Sequence, residues 1–221
     1  FTENNLEEKL SNRVERIAYC RNLLIKEIEN KEISYDFYIP LDLDVELFSQ
    51  ISTYKFIDIL THIQKNEGID ALFPFSLPYY YDLAALRAES WLNEDIWIKF
   101  NKLAKKLKVG KIFLRIFLIF NRQIKQPKNK KLIPVESAFG GIGIYKINDG
   151  ILNLHKYGLT NKAVSADHIV FNSGFNKKYI DPNWTIKAPV EHIEFKTLSL
   201  FGKMKYIYKE LQFELKNLKT H

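Results

Sequence analysis

The sequence predicts a layered α/β or α+β fold, and three observations carry that expectation. Apolar residues recur at three- and four-residue spacing over several long segments, and short apolar runs bounded by Pro, Gly or Asp lie between them. A hydrophobic content of 46% with 14% aromatic residues lets 221 residues bury a sizeable core. Alternation of the two kinds of segment is what a sheet covered by helices requires. The length suits one domain, and neither an internal repeat nor a linker is visible.

Residues 6–29 read as a helix, because Leu10, Val14, Ile17, Ala18, Leu24, Ile25 and Ile28 share one face. YDFYIPL (35–41) reads as a strand that Pro40 ends or leaves exposed on its amide side. A second helix is expected over 45–66, stopped near Asn66-Glu67-Gly68. ALFPFSLPYYYD (71–82) is a short apolar strand running into a Pro- and Tyr-rich loop. The spacing of Ile96, Phe100, Leu103 and Leu107 predicts an amphipathic helix over 93–108, ended by Gly110. Periodicity leaves 112–120 open between a buried strand and a further helix. QPKNKK (126–131) is a loop and VESAFGGIGIYKI (135–147) a strand interrupted by glycines. WTIKAPVEHIEF (184–195) reads as another strand, and 200–218 as a basic amphipathic helix.

Lys and Arg number 33 against 26 Asp and Glu, a net charge of +7. Much of the excess lies in 99–131. It suits a polyanion, an anionic membrane surface or a phosphate-bearing substrate, although solvated helix faces and a loop are the plainer account. The single cysteine, Cys20, excludes a disulfide framework and a cysteine-based zinc site, and fits a reducing compartment. No apolar run reaches membrane-spanning length; 112–120 is too short and carries Arg115. The chain opens on Phe1 rather than Met, so residues upstream are expected and the absence of a targeting segment carries no weight.

Several stretches concentrate chemistry. Arg21 falls on the apolar face of the first helix, where a guanidinium is costly unless a carboxylate or phosphate meets it. Asp36 or Asp42 would serve as a structural partner; a diphosphate, bound bidentately by Arg13, Arg16 or Arg21, is the functional reading. Asp42 and Asp44 alternate in an extended segment and so point to one side. Two hard oxygen ligands with open positions suit Mg²⁺ or Mn²⁺; a turn or helix-capping role is the alternative. PYYYDLAALRAESW (78–91) places Tyr81, Asp82 and Arg87 after a strand, either as packing residues or as a base- or sugar-binding wall. Gly140, Gly141 and Gly143 mark a bulge or a close approach of backbone to ligand, but neither a dinucleotide fingerprint nor a phosphate loop is present. Asp167-His168 and Glu191-His192 pair acids with histidines, an arrangement more often found on surfaces than in sites.

Taken in order, the Arg13, Arg16, Arg21-Asn22 helix, YDFYIPLDLDV, YYYDLAALR, ESAFGGIGIYK and ADHIVFN resemble a group of nucleotide-sugar glycosyltransferases. The group is of the GT-A type and related to the fungal capsule-associated mannosyltransferases and their bacterial and viral relatives. The resemblance runs from about residue 11 to 182, with YYYDLAALR and SAFGGIGIYK its most specific elements and D-x-D its least.

The resemblance implies an α/β/α sandwich with a central mixed sheet, lacking its first strand or strands. It implies a hexosyl transfer from a UDP- or GDP-linked sugar to a hydroxyl of a glycan or lipid-linked acceptor. Asp42 and Asp44 would hold Mn²⁺ or Mg²⁺ against the diphosphate, with His192 a weaker candidate for a late ligand. Arg13, Arg16 and Arg21 would share the diphosphate charge. Tyr81, Asp82 and Arg87 would line the donor pocket, and Phe139, Gly140 and Gly141 would lie beside the donor sugar. Asp167 and His168 match a catalytic Glu-His pair, with Asp standing where relatives have Glu. The expected setting is cytoplasmic, with the basic helix over 200–218 docked on the core or touching a membrane. No nucleic acid is expected; a non-catalytic nucleic-acid- or polyanion-binding module is the alternative, and it explains the lysines but not an Asp pair close to arginines.

Overall fold

The computed structural model describes residues 5–31, 33–42, 52–147, 156–158 and 166–218. The expected first helix is split into α1 (Leu6–Lys9) and α2 (Arg13–Glu29). Leu10 is extended between them, and Asn12 starts α2 by accepting a hydrogen bond from the Val14 N–H at 2.9 Å. Arg16 donates to the Leu10 and Ser11 carbonyls at 2.8 and 2.9 Å, which satisfies backbone oxygens freed by the break.

The strand expected over 35–41 pairs as β1 over Phe37–Tyr38 alone, followed by a single bridge from Leu41 to Ile142. Pro40 interrupts it, as a residue without an N–H must. The helix expected over 45–66 is seen from Thr53 to Lys65 (α3), its expected start lying outside the described residues. Strand β2 (Ala71–Leu77) follows. Helix α4 (Ile96–Ala104) is capped by Asp95, whose carboxylate accepts from the Ile98 N–H at 3.0 Å.

The open question over 112–120 resolves as helix α5 (Lys111–Leu118) and a 3₁₀ turn, Phe120–Arg122. Gly110 enters α5 at φ 91°, and the Glu214 carboxylate accepts from the Gly110 and Lys111 amides. The remaining elements are β3 (Ile133–Pro134), β4 (Ile144–Lys146), α6 (His168–Asn172), β5 (Lys178–Lys187), α7 (Val190–Thr197) and α8 (Leu200–Leu218). The strand expected over 184–195 is thus displaced: β5 begins earlier and ends at Lys187, and Pro189 opens α7, where its missing N–H costs nothing. The glycine-interrupted strand over 135–147 is regular only in β4, because Gly140 and Gly141 turn the chain at φ 74° and 92°.

The five strands form one open mixed sheet in the order β1–β4–β2–β5–β3, parallel only between β2 and β5. Central β2 alternates between two layers, as a period of two requires. Ala71, Phe73 and Phe75 pack with Ala18 and Ile25 of α2, Ile96 of α4, Ile112 of α5 and Phe171 of α6. Leu72 faces Ile59 and Ile63 of α3 with Ile144 and Trp184. An α/β architecture with helices on both faces of the sheet results, compatible with a Rossmann-like fold. Among the described residues no helix is long and apolar enough to cross a membrane.

Candidate functional site

Three segments distant in sequence converge on Arg21. Helix α2 presents it inward because Ala18 and Ile25, one turn to either side, are core residues. One terminal nitrogen donates to both carboxylate oxygens of Asp167 at 2.8 and 2.7 Å, and the other donates to Asp42 at 2.7 Å. The guanidinium lies 5.3 Å from the ring centroids of both Phe139 and Tyr157. Asn22 holds Tyr157 in place by a reciprocal pair of bonds to its backbone, each 2.8 Å. Asp42 is fixed by its own N–H, which donates to the Gly141 carbonyl at 2.8 Å.

The two carboxylates differ in solvation. The Asp42 side chain is 53% exposed and that of Asp167 only 6%. Burial works against the charge on Arg21, but Asp167 and Asp42 outweigh it and raise its pKa above the ordinary value. Burial also pushes the Asp167 carboxyl up, with Arg21 offsetting part of the rise and Asp42 adding to it.

Asp82 forms the neighbouring wall. It accepts from the Gly140 N–H at 2.8 Å and the Ala85 N–H at 3.3 Å. Desolvation raises its pKa, those two amides hold it back, and Asp42 pushes it up again. Gly140 therefore has two tasks: a positive φ that turns the chain, and an amide aimed at Asp82. Phe139, at the start of the same turn, stacks on His168 with ring centroids 3.6 Å apart. His168 is buried, and neither ring nitrogen has a hydrogen-bond partner among the described residues. Burial, then the positive charge of Arg21, push its pKa well below the usual histidine value, so the imidazole is neutral.

The structure brings Arg21, Asp42, Asp82, Phe139, Gly140, Gly141, Asp167 and His168 together. Asp44 lies outside the described residues. Tyr81 stacks on His192 at 5.2 Å beside Asp82, and His192 contributes to the field at that carboxylate. Arg87 donates to Asp95 at 2.8 Å and to the Ala84 and Leu86 carbonyls, which braces the loop before α4, and it lies within the field of Asp82. Arg16 is used in the α1–α2 break, and Arg13 is exposed one turn beyond it.

Residues not singled out from the sequence complete the site. Tyr157 and Tyr38 meet through their hydroxyls at 3.3 Å. Buried Asn172 accepts from the Tyr145 hydroxyl at 2.7 Å and donates to Ser137 and the Ala138 carbonyl at 2.8 Å each, locking α6 to the FGG turn. Tyrosines within apolar runs read as packing residues, so only the pairing of Asn22 with Arg21 and the Asn that ends HIVFN offered a signal.

Arg21 also opens onto a groove of about 680 Å³ between α2 and β1, lined by Leu24, Ile28, Phe37, Ile39 and Leu41 among others. That volume is in the range of small-molecule sites. Among the described residues no group of three His, Cys, Asp or Glu side chains is placed to hold a metal ion. Of Asp42, Asp82 and Asp167, Asp42 is the most exposed, and a hard cation would need further oxygens from elsewhere in the chain or from a ligand. Searches of protein-family models, curated proteins and solved structures give no match to this chain.

Proposed function

We propose that the chain is a glycosyltransferase of the GT-A type that uses a divalent metal and a nucleoside-diphosphate sugar. One observation carries the reading: Asp42 and Asp167 share the single guanidinium of Arg21, and Asp42 raises the pKa both of Asp167 and of Asp82, which is held on the neighbouring Gly140 amide. Such a concentration of negative charge is favourable where a second cation joins it. Hard carboxylate oxygens suit Mn²⁺ or Mg²⁺, with Asp42 and Asp44 as the ligands and diphosphate oxygens completing the shell. The metal would supply Lewis-acid neutralisation of the leaving diphosphate.

The chain's own residues supply the rest. Arg21, held between two aromatic rings, is preorganised to donate to a diphosphate oxygen in place of Asp42. The Phe139-Gly140-Gly141 turn, whose glycines take up positive φ, would lie beside the sugar. In the transfer the anomeric C–O bond to the diphosphate breaks and a C–O bond to the acceptor oxygen forms. The acceptor proton needs a base, and Asp167 and His168 are the candidate pair: Asp167 is bound to Arg21, and burial and Arg21 lower the basicity of His168. Among the described residues the polyanion-binding alternative has no comparably organised centre in its favour.

The test is donor turnover. The protein is incubated with UDP- and GDP-sugars, with Mn²⁺ or with EDTA, and released nucleoside diphosphate is measured. Metal-dependent release, lost in Asp42→Ala and reduced in His168→Gln, is expected. Release that survives EDTA and Asp42→Ala would reject a metal at this site.

A further inference from the structure

Helix α8 is amphipathic twice over. Its inner side packs into the core through Tyr206, Ile207 and Leu211, and Glu214 on the same side caps α5. Its outer side should therefore be polar, as on any helix covering a core. Instead Phe201, Met204, Tyr208 and Leu215 recur along a strip beside the inner side at spacings of three, four and seven, with Phe201 77% and Tyr208 63% exposed. Isolated surface apolar residues need no explanation, but a continuous stripe along a 19-residue helix does.

The charges around the stripe select its occupant. Lys205, Lys209 and Lys216 form a row beside it at helical spacings of four and seven, and all three are exposed. A second group sits at the amino-terminal end. Lys125 and Lys196 both approach the Tyr79 ring, Lys203 lies over Phe195, and these lysines make no salt bridge among the described residues. Mutual repulsion contributes to lowering the pKa of Lys196, after its partial burial.

We infer that the outer face of α8 docks on an anionic lipid surface, lying in the interface with its apolar stripe inserted and its lysine row among the headgroups. An apolar sector bordered by lysines, with bulky aromatics in the stripe, is the pattern of an interfacial helix. A second copy of the chain fits less well. Glu210 and Glu214 lie on the inner side of α8, so the helix offers a second copy no carboxylate and would set lysines against lysines. The inference does not depend on the transferase reading.

The test is sedimentation of the full chain with phosphatidylcholine vesicles, with and without phosphatidylglycerol, across a salt series. Binding only to the anionic vesicles, weakened by salt, is expected. At roughly fivefold per lysine, Lys205→Gln/Lys209→Gln/Lys216→Gln should weaken it about a hundredfold. Phe201→Ser/Met204→Ser/Tyr208→Ser should abolish it while leaving the circular-dichroism melt in place. Tyr208→Trp, which keeps the face intact, should shift its emission to the blue on adding anionic vesicles. A wild-type chain that stays in the supernatant at low salt overturns the inference. So does binding undiminished by the lysine substitutions. A concentration-dependent dimer that the triple Ser variant abolishes also overturns it, by giving the face to a second copy.

Discussion

Replacing Arg21 by Met keeps most of the side chain's apolar stem and removes its charge, which isolates what the guanidinium does. The cost follows from the two carboxylates it serves. Asp167 is 6% exposed and loses both of its bonds to Arg21, leaving a buried charge uncompensated, a situation that costs about 3–5 kcal/mol. Asp42 is 53% exposed and is rehydrated, so its share is below about 1 kcal/mol. The pH dependence identifies the cause. Burial already raises the Asp167 pKa, and Arg21 is what holds it back. Without Arg21 the folded-state pKa rises further above the unfolded one. A carboxyl with a raised folded-state pKa favours folding below its unfolded pKa, and that benefit is lost as pH rises through the folded value. The deficit of Arg21→Met is therefore smallest in acid and largest near neutral pH. Urea unfolding of wild type and variant across a pH series reads it directly, and Arg21→Met/Asp167→Asn should recover most of the loss. A deficit under about 1 kcal/mol at neutral pH, or one independent of pH, would refute the reasoning, because Asp167 would then be satisfied without Arg21.

Two further outcomes follow from the same geometry. The His168 pKa is depressed far below its ordinary 6.5 by burial and by Arg21. Its neutral form is the folded one, so stability present above that value is lost as pH falls and the unfolded chain takes up a proton. His168→Phe, which keeps the stack on Phe139, should remove that acid sensitivity and raise stability by about 1–3 kcal/mol, read by thermal melts at two pH values. Gly143→Ala should cost about 1–3 kcal/mol in urea unfolding, since its Cβ would meet Tyr145 at 2.9 Å and Phe73 at 3.1 Å.

Arg21 shows how far sequence reading reaches. Its place on an apolar helical face announces a buried guanidinium, and Asp42 is one of two partners that local reasoning offers. Asp167, 146 residues away, enters only through resemblance, because no spacing rule connects α2 to α6. The same resemblance gives Arg87 a role in the donor pocket; its side chain bonds to Asp95, eight residues on, a local ion pair that the sequence offered and the resemblance passed over. The strand misplaced over 184–195 has a similar lesson. WTIK does belong to β5, but the apolar run continues past Ala188-Pro189 into α7, and the proline outweighs the run. Residues 112–120 could not be assigned from periodicity, because the deciding contact is the Glu214 carboxylate on the Gly110 amide, which comes from the far end of the chain. The alternating layers around β2 were legible for the opposite reason: they depend only on the apolar periods of neighbouring segments. Leu24 fell on the predicted apolar face yet is 54% exposed, lining the groove beside Arg21.

The most direct measurement of the central claim is calorimetric titration with UDP and GDP, each in Mn²⁺ and in EDTA, on wild type and Asp42→Ala/Asp44→Ala. The account predicts binding of one nucleotide that requires the metal and disappears in the double variant, while the melt of that variant stays close to wild type because Asp42 is solvated. A folded chain that binds neither nucleotide with Mn²⁺, or that binds equally well in EDTA and in the double variant, would contradict it.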